Sequence, residues 1–337
     1  MAALPPFFAR LLRRNWFLIG ILAALISGLL MSGAGQKLNP RSVTTTAIVV
    51  VLFLISGLTL PTEGITHGLR QIRLHLFVQS FIFGVIPLYF LFTTSALSGV
   101  LSMERGLVTG MLALSCLPTT VSSCIVFTQS SKGNVAGTMF NASAANMAGV
   151  VISPLILSLL LGSSGGGLPP DEVVRVLVSL ALKMLLPILV GQVLRIKVRE
   201  WIDRRRKRLG IASNMLILLI VFFAVSKAAG NRDFLGRLAG MPLPILYLAV
   251  SHILLVLLAY GGARALRLDR ASTASVLYTA PQKTLAVGAP LLTTYFAHDP
   301  ATLGLALIPL LFYHPWQLVV AGFIRSSPLL RRGSSAA

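Results

Sequence analysis

The stretch of sequence that decides the fold is residues 275–290, which read SVLYTAPQKTLAVGAP. Its flanks are apolar, whereas its middle carries Pro281 followed by Gln282, Lys283 and Thr284. Within a bilayer, a broken helix is tolerated only where protein or a water-filled cavity satisfies the freed backbone groups. An ionisable side chain at membrane depth is, by default, part of a functional site. The stretch therefore predicts an interrupted membrane helix with a functional site at the interruption.

The composition indicates that this helix belongs to a polytopic membrane protein. The chain has 337 residues, of which 55% are hydrophobic and 11% charged, whereas an average soluble domain has about 25% charged residues. Its net charge of +20 does not indicate nucleic-acid binding, because the basic residues lie in short loops between apolar runs. Cys116 and Cys124 fall in one apolar segment and predict neither a disulfide framework nor a transition-metal site. The sequence contains no phosphate loop, zinc spacing or catalytic triad, and no carboxylate lies mid-span, which argues against an enzyme.

Ten membrane spans are predicted from the apolar runs, each of about 20 residues. They cover residues 16–33, 44–60, 74–94, 106–129, 134–161, 173–194, 211–229, 241–263, 272–295 and 299–324. Lys and Arg are concentrated in alternate loops, most densely at residues 195–208, so the positive-inside rule places both termini in the cytoplasm. This pattern suits a bacterial inner membrane, with an organellar or secretory membrane as the alternative. The first run is interpreted as an uncleaved span, and a signal peptide is the alternative there.

The Gly- and Pro-rich run GSSGGGLPP divides the chain into two halves of five spans. The predicted organisation is a first repeat at 1–161, a linker at 162–172, a second repeat at 173–324 and a cytoplasmic tail at 325–337. Because five is odd, the second half enters the membrane from the opposite face, as in inverted-repeat transporters. The fourth span of each half then corresponds, and both contain a proline followed by polar residues, at Pro118 and at Pro281. We therefore predict that broken helices 4 and 9 cross at the membrane centre.

Two crossing breaks would bind ions of both signs. A half-helix that begins at the bilayer centre presents free N–H groups and a positive dipole end to an anion, while unwound carbonyls bind a cation. The alternative is a pair of kinked helices whose Ser and Thr hydroxyls bond to backbone carbonyls. The predicted substrate-binding residues are Pro118, Thr119, Thr120, Pro281, Gln282, Lys283 and Thr284.

Three roles are open for Lys283. Its ammonium could hold an anionic substrate, replace a coupling cation, or release a proton during transport, because buried lysines lose their proton readily. His314, in a His-Pro pair, is either part of a helix kink or a second proton-relay candidate beside Lys283. Lys183 is interpreted as a paired or snorkelling side chain. In the fifth span, Thr138 and Asn141 share one helix face, where cation binding and contact between helices are equally consistent.

These residues resemble the bile acid:sodium symporter family, and within it the branch of solute carrier family 10 member 7 and its bacterial and plant relatives. The matching stretches are RNWF at 14–17, SGLTL at 56–60, LHLFVQ at 74–79, CLP at 116–118 with SS at 122–123, FN at 140–141, QKTL at 282–285 and YHP at 313–315. The resemblance implies a core domain of spans 3–5 and 8–10 that moves against a panel of spans 1, 2, 6 and 7.

The resemblance also implies a sodium site, from which this chain departs. The candidate cation-binding residues are Gln79, Ser122, Ser123, Thr138, Asn141, Tyr278, Thr279 and Gln282. Tyr278 stands where sodium-coupled members have a glutamate, Lys283 stands where they have an asparagine, and Ala142 lacks an expected hydroxyl. We therefore expect the lysine ammonium to occupy part of the volume that a sodium ion would fill.

The sequence favours a secondary active transporter of a small organic anion that works by alternating access in the lipid bilayer. Symport with sodium, symport with protons and uniport are all open, and no cofactor other than a coupling sodium is expected. One alternative is a non-transporting membrane regulator of ion or calcium homeostasis on the same fold. Another is an arsenite-type exporter, for which Cys124 is the only support.

Overall fold

The computed structural model describes residues 6–60, 71–163, 170–230, 241–296, 299–326 and 330, and these residues form helices and short connections. The helices are α1 (Pro6–Leu30), α2 (Ser32–Leu38), α3 (Val43–Thr59), α4 (Ile72–Ser80), α5 (Ile86–Leu97), α6 (Arg105–Cys116), α7 (Ser122–Ser130), α8 (Val135–Ser163), α9 (Pro170–Leu180), α10 (Leu186–Ala229), α11 (Pro242–Ala265), α12 (Arg270–Thr279), α13 (Leu285–Tyr295) and α14 (Pro300–Ser326). A π-helical turn at Phe81–Val85 joins α4 to α5, and another at Ala181–Leu185 joins α9 to α10. Helices α8 and α9 extend into the ends of the predicted linker, of which residues 164–169 lie outside the described residues.

The helices have the length and composition of membrane spans. Six stretches of the described chain qualify: Pro40–Thr59, Ile72–Leu97, Val135–Gly162, Val178–Ala229, Pro242–Ala265 and Thr302–Arg325. A seventh is counted if α1 and α2, which bend by 97° at Met31, form one span. Large apolar side chains point outward, with Phe92 67% and Leu159 73% exposed, as expected for a surface that faces lipid. The prediction of an all-helical polytopic membrane protein is thus confirmed.

The longest helix, α10, is not straight. Its 44 residues would extend about 66 Å as a straight helix, roughly twice the thickness of the bilayer core. The backbone leaves the helical region at Val198 (φ −116°, ψ 18°). Arg195 reaches Asp203 at 3.1 Å although the two residues are eight positions apart, a rise of about 12 Å in a straight helix. The basic run at 195–208, expected as a loop between two spans, is therefore a bent helix.

Small residues bring the helices around the breaks close together. A Cβ atom on Gly110 of α6 would lie 2.4 Å from the carbonyl oxygen of Ala306 in α14, so this contact requires glycine. A Cβ atom on Gly149 of α8 would lie 2.8 Å from Pro118. Helices α8 and α14 thus pack directly against the first interruption and against the helix that leads into it.

The chain is interrupted at both predicted places. Helix α6 ends at Cys116 and α7 begins at Ser122, while α12 ends at Thr279 and α13 begins at Leu285. We call residues 117–121 the first break and residues 280–284 the second break. The Thr284 N–H donates to the Pro118 carbonyl at 2.9 Å, so the two breaks contact each other through their main chains.

Candidate functional site

The backbone of the second break is satisfied by side chains of α14. The Lys283 N–H donates to Oε1 of Gln317 at 2.8 Å, and the Lys283 carbonyl accepts from Nε2 of Gln317 at 2.8 Å. The Tyr313 hydroxyl donates to the Pro281 carbonyl at 2.7 Å. Because these backbone groups have no helical partners, α14 supplies what a break in lipid requires.

The Lys283 ammonium is held by three main-chain carbonyls. Nζ donates to Ser115 O at 2.7 Å, Leu117 O at 2.8 Å and Ile82 O at 3.1 Å, and the side chain is 1% exposed. An ammonium has three donors, so this set saturates it. Ser115 lies in the last turn of α6, where the negative end of the helix dipole also favours a cation.

The π-helical turn explains why the third carbonyl, that of Ile82, is available. The Ile86 N–H, which would bond Ile82 in an α-helix, donates to Phe81 instead. The next possible donor is at position 87, but Pro87 has no N–H. The Ile82 carbonyl is thus left without a main-chain donor and accepts from Lys283. The arrangement of three carbonyls around one positive charge resembles the coordination that a bound cation would receive.

Gln282 connects the second break to the first. Its Oε1 accepts from Thr120 at 2.8 Å, from Ser123 at 3.2 Å and from the Cys124 thiol at 3.4 Å. Thr119 is hydrogen-bonded to Cys124 at 3.2 Å through its side chain. The polar residues of the two breaks therefore form one buried network at the contact.

The other predicted cation ligands fall into separate hydrogen-bonded groups. Gln79 donates to the backbone and side-chain oxygens of Asn141, at 3.0 and 3.2 Å. Thr138 is bonded to Thr128 at 3.0 Å and donates to Ser275 at 2.8 Å. Tyr278, in place of an acidic ligand, is bonded to Ser131 at 2.8 Å.

The Thr279 hydroxyl is buried like the residues of this set, but unlike them it has no hydrogen-bond partner among the described residues. It lies one helical turn beyond Ser275, which places it on the same face of α12. A buried oxygen of this kind could coordinate a cation. Elsewhere in the described chain, no three His, Cys, Asp or Glu side chains converge in a way that could hold a metal ion.

A cavity of about 690 Å³, which we call the central cavity, lies beside the breaks. It is lined by residues of α1, α3, α8 and α10, by the starts of α7 and α13, and by His314 and Leu318 of α14. Val121, which precedes α7, makes no side-chain cap hydrogen bond to the first turn. Arg206 and Lys207 also line the cavity, and none of its described lining residues is acidic. Two helix N-termini and two cationic side chains make the central cavity suitable for an anion.

The predicted substrate residues divide between this cavity and the interior. Thr120 and Thr284 line the central cavity, as do Ser122 and Ser123, which were expected as cation ligands. The remaining predicted substrate residues are absent from its lining: Pro118, Thr119, Pro281, Gln282 and Lys283. Thr120 and Ser123 belong to both the cavity wall and the network around Gln282, so the two are directly connected.

Sequence reasoning missed Gln317, Tyr313 and the Ile82 carbonyl as parts of the site. Gln317 follows His314 by three residues, and its Nε2 lies 3.2 Å from the His314 Nδ1. A lone amide in an otherwise apolar span was the available signal for Gln317. Tyr313 was noted only as part of the YHP motif, yet it contacts both Pro281 and Nδ1 of His252, the latter at 2.7 Å.

Comparison with known proteins gives consistent results over nearly the whole chain. Residues 15–328 match the profile of the SBF-like CPA transporter family. Among similar proteins, sodium/bile acid cotransporter 7-B of Xenopus laevis is 29% identical over 319 residues, covering 93% of this chain and 91% of that protein. Sodium/bile acid cotransporter 7 of Danio rerio is 30% identical over 322 residues, covering 94% of each chain. An uncharacterized protein of Pseudomonas aeruginosa is 30% identical over 323 residues, covering 95% of each chain.

Proposed function

Because the chain belongs to the SBF-like CPA transporter family, we propose that it is a secondary transporter of a small organic anion that works by alternating access. It is a membrane transporter rather than an enzyme, and the family resemblance of its sequence is confirmed. The observation that carries the choice of an anion is the central cavity, which is lined by the N-termini of α7 and α13 and by Arg206 and Lys207.

We propose ten spans in an inverted repeat of five plus five. The stretch Val178–Ala229 is long enough for two crossings, which raises the six qualifying stretches to seven crossings. Helix α1 with α2, the interrupted pair α6 and α7, and the interrupted pair α12 and α13 supply three more. The repeats would then be residues 1–161 and 173–324, with the breaks in corresponding spans. The main-chain contact between Thr284 and Pro118 supports crossing helices 4 and 9.

We propose that the panel consists of α1, α3, α9 and α10 and that the remaining long helices form the core. The lining of the central cavity supports this division, since α1, α3 and α10 of the panel and α7, α13 and α14 of the core all contribute to it, as expected for a cavity at their boundary. Movement of one unit against the other would change which end of this cavity is open. The bonds of Lys283, Gln282 and Gln317 all lie within the core, so they leave the boundary free to move.

We propose that the Lys283 ammonium takes the place of a coupling cation at the contact of the breaks. This proposal is supported by the three carbonyls that accept from the ammonium, because the same three oxygens would suit a metal cation. Two coupling schemes follow. Sodium would bind at the remaining polar groups around Thr138, Asn141 and Thr279, or a proton would be carried by Lys283 itself, with His314 in the cavity wall as its relay. Relatives named as sodium/bile acid cotransporters favour testing sodium first.

The test is uptake into proteoliposomes that contain the purified protein, with panels of carboxylates and sulfated compounds. Arg206→Gln and Lys207→Gln are expected to reduce uptake by about tenfold, because each removes a charge from the anion site. Lys197→Gln is the matched control, since Lys197 is exposed and lies outside the cavity lining. Replacing sodium by potassium, with and without a pH gradient, distinguishes the coupling schemes.

Absence of both uptake and ligand-dependent thermal stabilisation across the panels would refute the transport proposal and favour the regulator. The arsenite alternative gains no support from the structure. Cys124 is fully buried, is bonded to Thr120 and Gln282, and does not line the central cavity.

A further inference from the structure

A second cavity, of about 470 Å³, lies at the opposite ends of the helices that line the central cavity. On α3, Ser56 and Thr59 line the central cavity, whereas Thr45 and Val49 line the second one. On α13, Leu285 faces the first and Thr293 the second. We call this second space the distal cavity. The basic segment of α10 contributes Arg206 and Lys207 to the central cavity, near the end of α3. The distal cavity, near the start of α3, therefore lies toward the opposite end of the molecule.

Three cationic side chains from three different elements line the distal cavity: Arg41, Lys183 and Lys227. Arg41 lies in the turn before α3, Lys183 in the π-helical turn before α10, and Lys227 in the last turn of α10. None of the described lining residues is acidic. A bound anion would reduce the repulsion between like charges that share one cavity.

Helix dipoles explain only one of these charges. A cation in the last turn of a helix is favourable, which accounts for Lys227. Arg41 stands immediately before the start of α3, the end of a helix where a positive charge is unfavourable. Lys183 is half-buried between α9 and α10 and lies at the end of neither. The positive-inside rule does not explain these three cations either, because basic residues in loops are otherwise concentrated at the opposite end of the molecule.

The turn that carries Arg41 has an uncommon backbone conformation. Arg41 (φ 48°) and Ser42 (φ 62°) both adopt the left-handed conformation, which is uncommon for residues other than glycine. Such outliers cluster where surrounding structure holds a binding site in place. Ser42 makes no side-chain cap hydrogen bond to α3. The Thr45 oxygen accepts from Asn39 at 2.8 Å, which leaves its hydroxyl hydrogen able to donate into the cavity.

We propose that the distal cavity binds an oxyanion, a phosphate or sulfate group, through Arg41, Lys183 and Lys227 with hydroxyl donors from the start of α3. Three cations and several hydroxyl groups suit a tetrahedral oxyanion better than a single carboxylate, because such a group offers more acceptor oxygens, in more directions. The group belongs either to a soluble molecule or to a lipid head group. This proposal does not depend on the transport proposal, because it concerns anion binding alone.

The experiment measures the melting temperature of the full-length protein in neutral nanodiscs, with sulfate against chloride at equal ionic strength. Sulfate is expected to raise the melting temperature in a saturable manner, as linkage requires. Lys183→Gln and Arg41→Gln are each expected to weaken sulfate binding by about tenfold, because each removes a charge-assisted hydrogen bond. Lys183→Arg should retain binding, which separates loss of charge from a disturbed fold. Lys197→Gln, which removes an exposed charge outside both cavities, should behave as the unmodified protein.

Three results would overturn the proposal. One is an unchanged sulfate response in Lys183→Gln, and another is an equal loss in Lys197→Gln, which would show a general charge effect. The third is loss only in Lys207→Gln, which would place the anion in the central cavity. Nanodiscs that contain phosphatidylglycerol identify the source of the group, since a bound lipid phosphate would abolish the sulfate response there. Because the readout is binding rather than uptake, failure of this proposal is separate from failure of the transport proposal.

Discussion

At the scale of single residues, the question is what one buried ammonium does for this protein. Lys283 has no carboxylate among its hydrogen-bond partners and relies on three carbonyls whose own helical partners are missing. Removing the ammonium would leave these buried oxygens unsatisfied, at about 1–3 kcal/mol for each group. The lysine and the breaks are therefore mutually dependent: the breaks free the carbonyls, and the ammonium satisfies them.

Shortening this side chain should create a sodium site. In Lys283→Ala, the vacated volume keeps the three carbonyls, so sodium should bind and stabilise the variant. We expect its melting temperature to rise when choline chloride is replaced by sodium chloride, by more than in the unmodified protein. Lys183→Ala, which removes a cation from the distal cavity, is the control. Equal melting temperatures of Lys283→Ala in both salts would show that the ammonium does not occupy a cation position.

Gln317 should matter for stability far more than its position in an apolar span suggests. Its amide satisfies both the N–H and the carbonyl of Lys283, so Gln317→Leu leaves two buried backbone groups without partners. We expect a loss of about 2–4 kcal/mol in the free energy of unfolding. Gln36→Leu is the matched change, because Gln36 is exposed and makes one long bond, to Ser226 at 3.4 Å. Comparable effects of the two substitutions, measured by denaturant titration in detergent, would contradict this assignment.

At the scale of helices, prediction from sequence worked where a proline is followed directly by a cluster of polar residues, whereas Pro154 and Pro290 lie inside helices. Pro118 and Pro281 lack an N–H, and polar residues follow them, so both interruptions could be located. The bend of α10 could not be predicted, because the basic run suits a loop or an exposed helix equally and Val198 carries no breaking signal. The π-helical turn at Phe81–Val85 is another case: Pro87 hinted at a local change, but only the fold shows that Lys283 uses the freed carbonyl.

The contact between α6 and α14 provides a test at the same scale. In Gly110→Ala, the new methyl group would lie 2.4 Å from a backbone oxygen that cannot rotate away, so the two helices must separate. We expect a lower melting temperature, with a loss of at least about 1–3 kcal/mol. Gly322→Ala on α14 has nothing within 4 Å of its added Cβ atom and should be neutral or mildly stabilising. Effects of the same sign and size in the two variants would argue against close packing at Gly110.

At the scale of the whole molecule, the two cavities are lined by different parts of the helices that they share. Leu52 lines the central cavity and Val49 the distal one, and three residues of helix separate them by about 4.5 Å. On α10, Ile217 lines the central cavity and Phe223 the distal one, and six residues of helix separate them by about 9 Å. The sequence predicted a transport site at the breaks but not these spaces, because a cavity depends on how distant helices pack. Two cavities placed in this way are what movement of a panel against a core could open in turn, one from each side.

Paired cysteine variants on α3 test this arrangement directly. Ser56→Cys would line the central cavity and Thr46→Cys the distal one, while the native Cys116 and Cys124 are both fully buried and should react slowly. If the basic segment of α10 is cytoplasmic, an impermeant maleimide should label Ser56→Cys in inside-out vesicles and Thr46→Cys in right-side-out vesicles. A transported anion that favours closure of the central cavity should slow the first reaction and accelerate the second, because alternating access couples the two ends. Labelling of both positions from the same side would refute the predicted topology. Anion-dependent slowing of both reactions would indicate a binding protein that closes without exposing its other end.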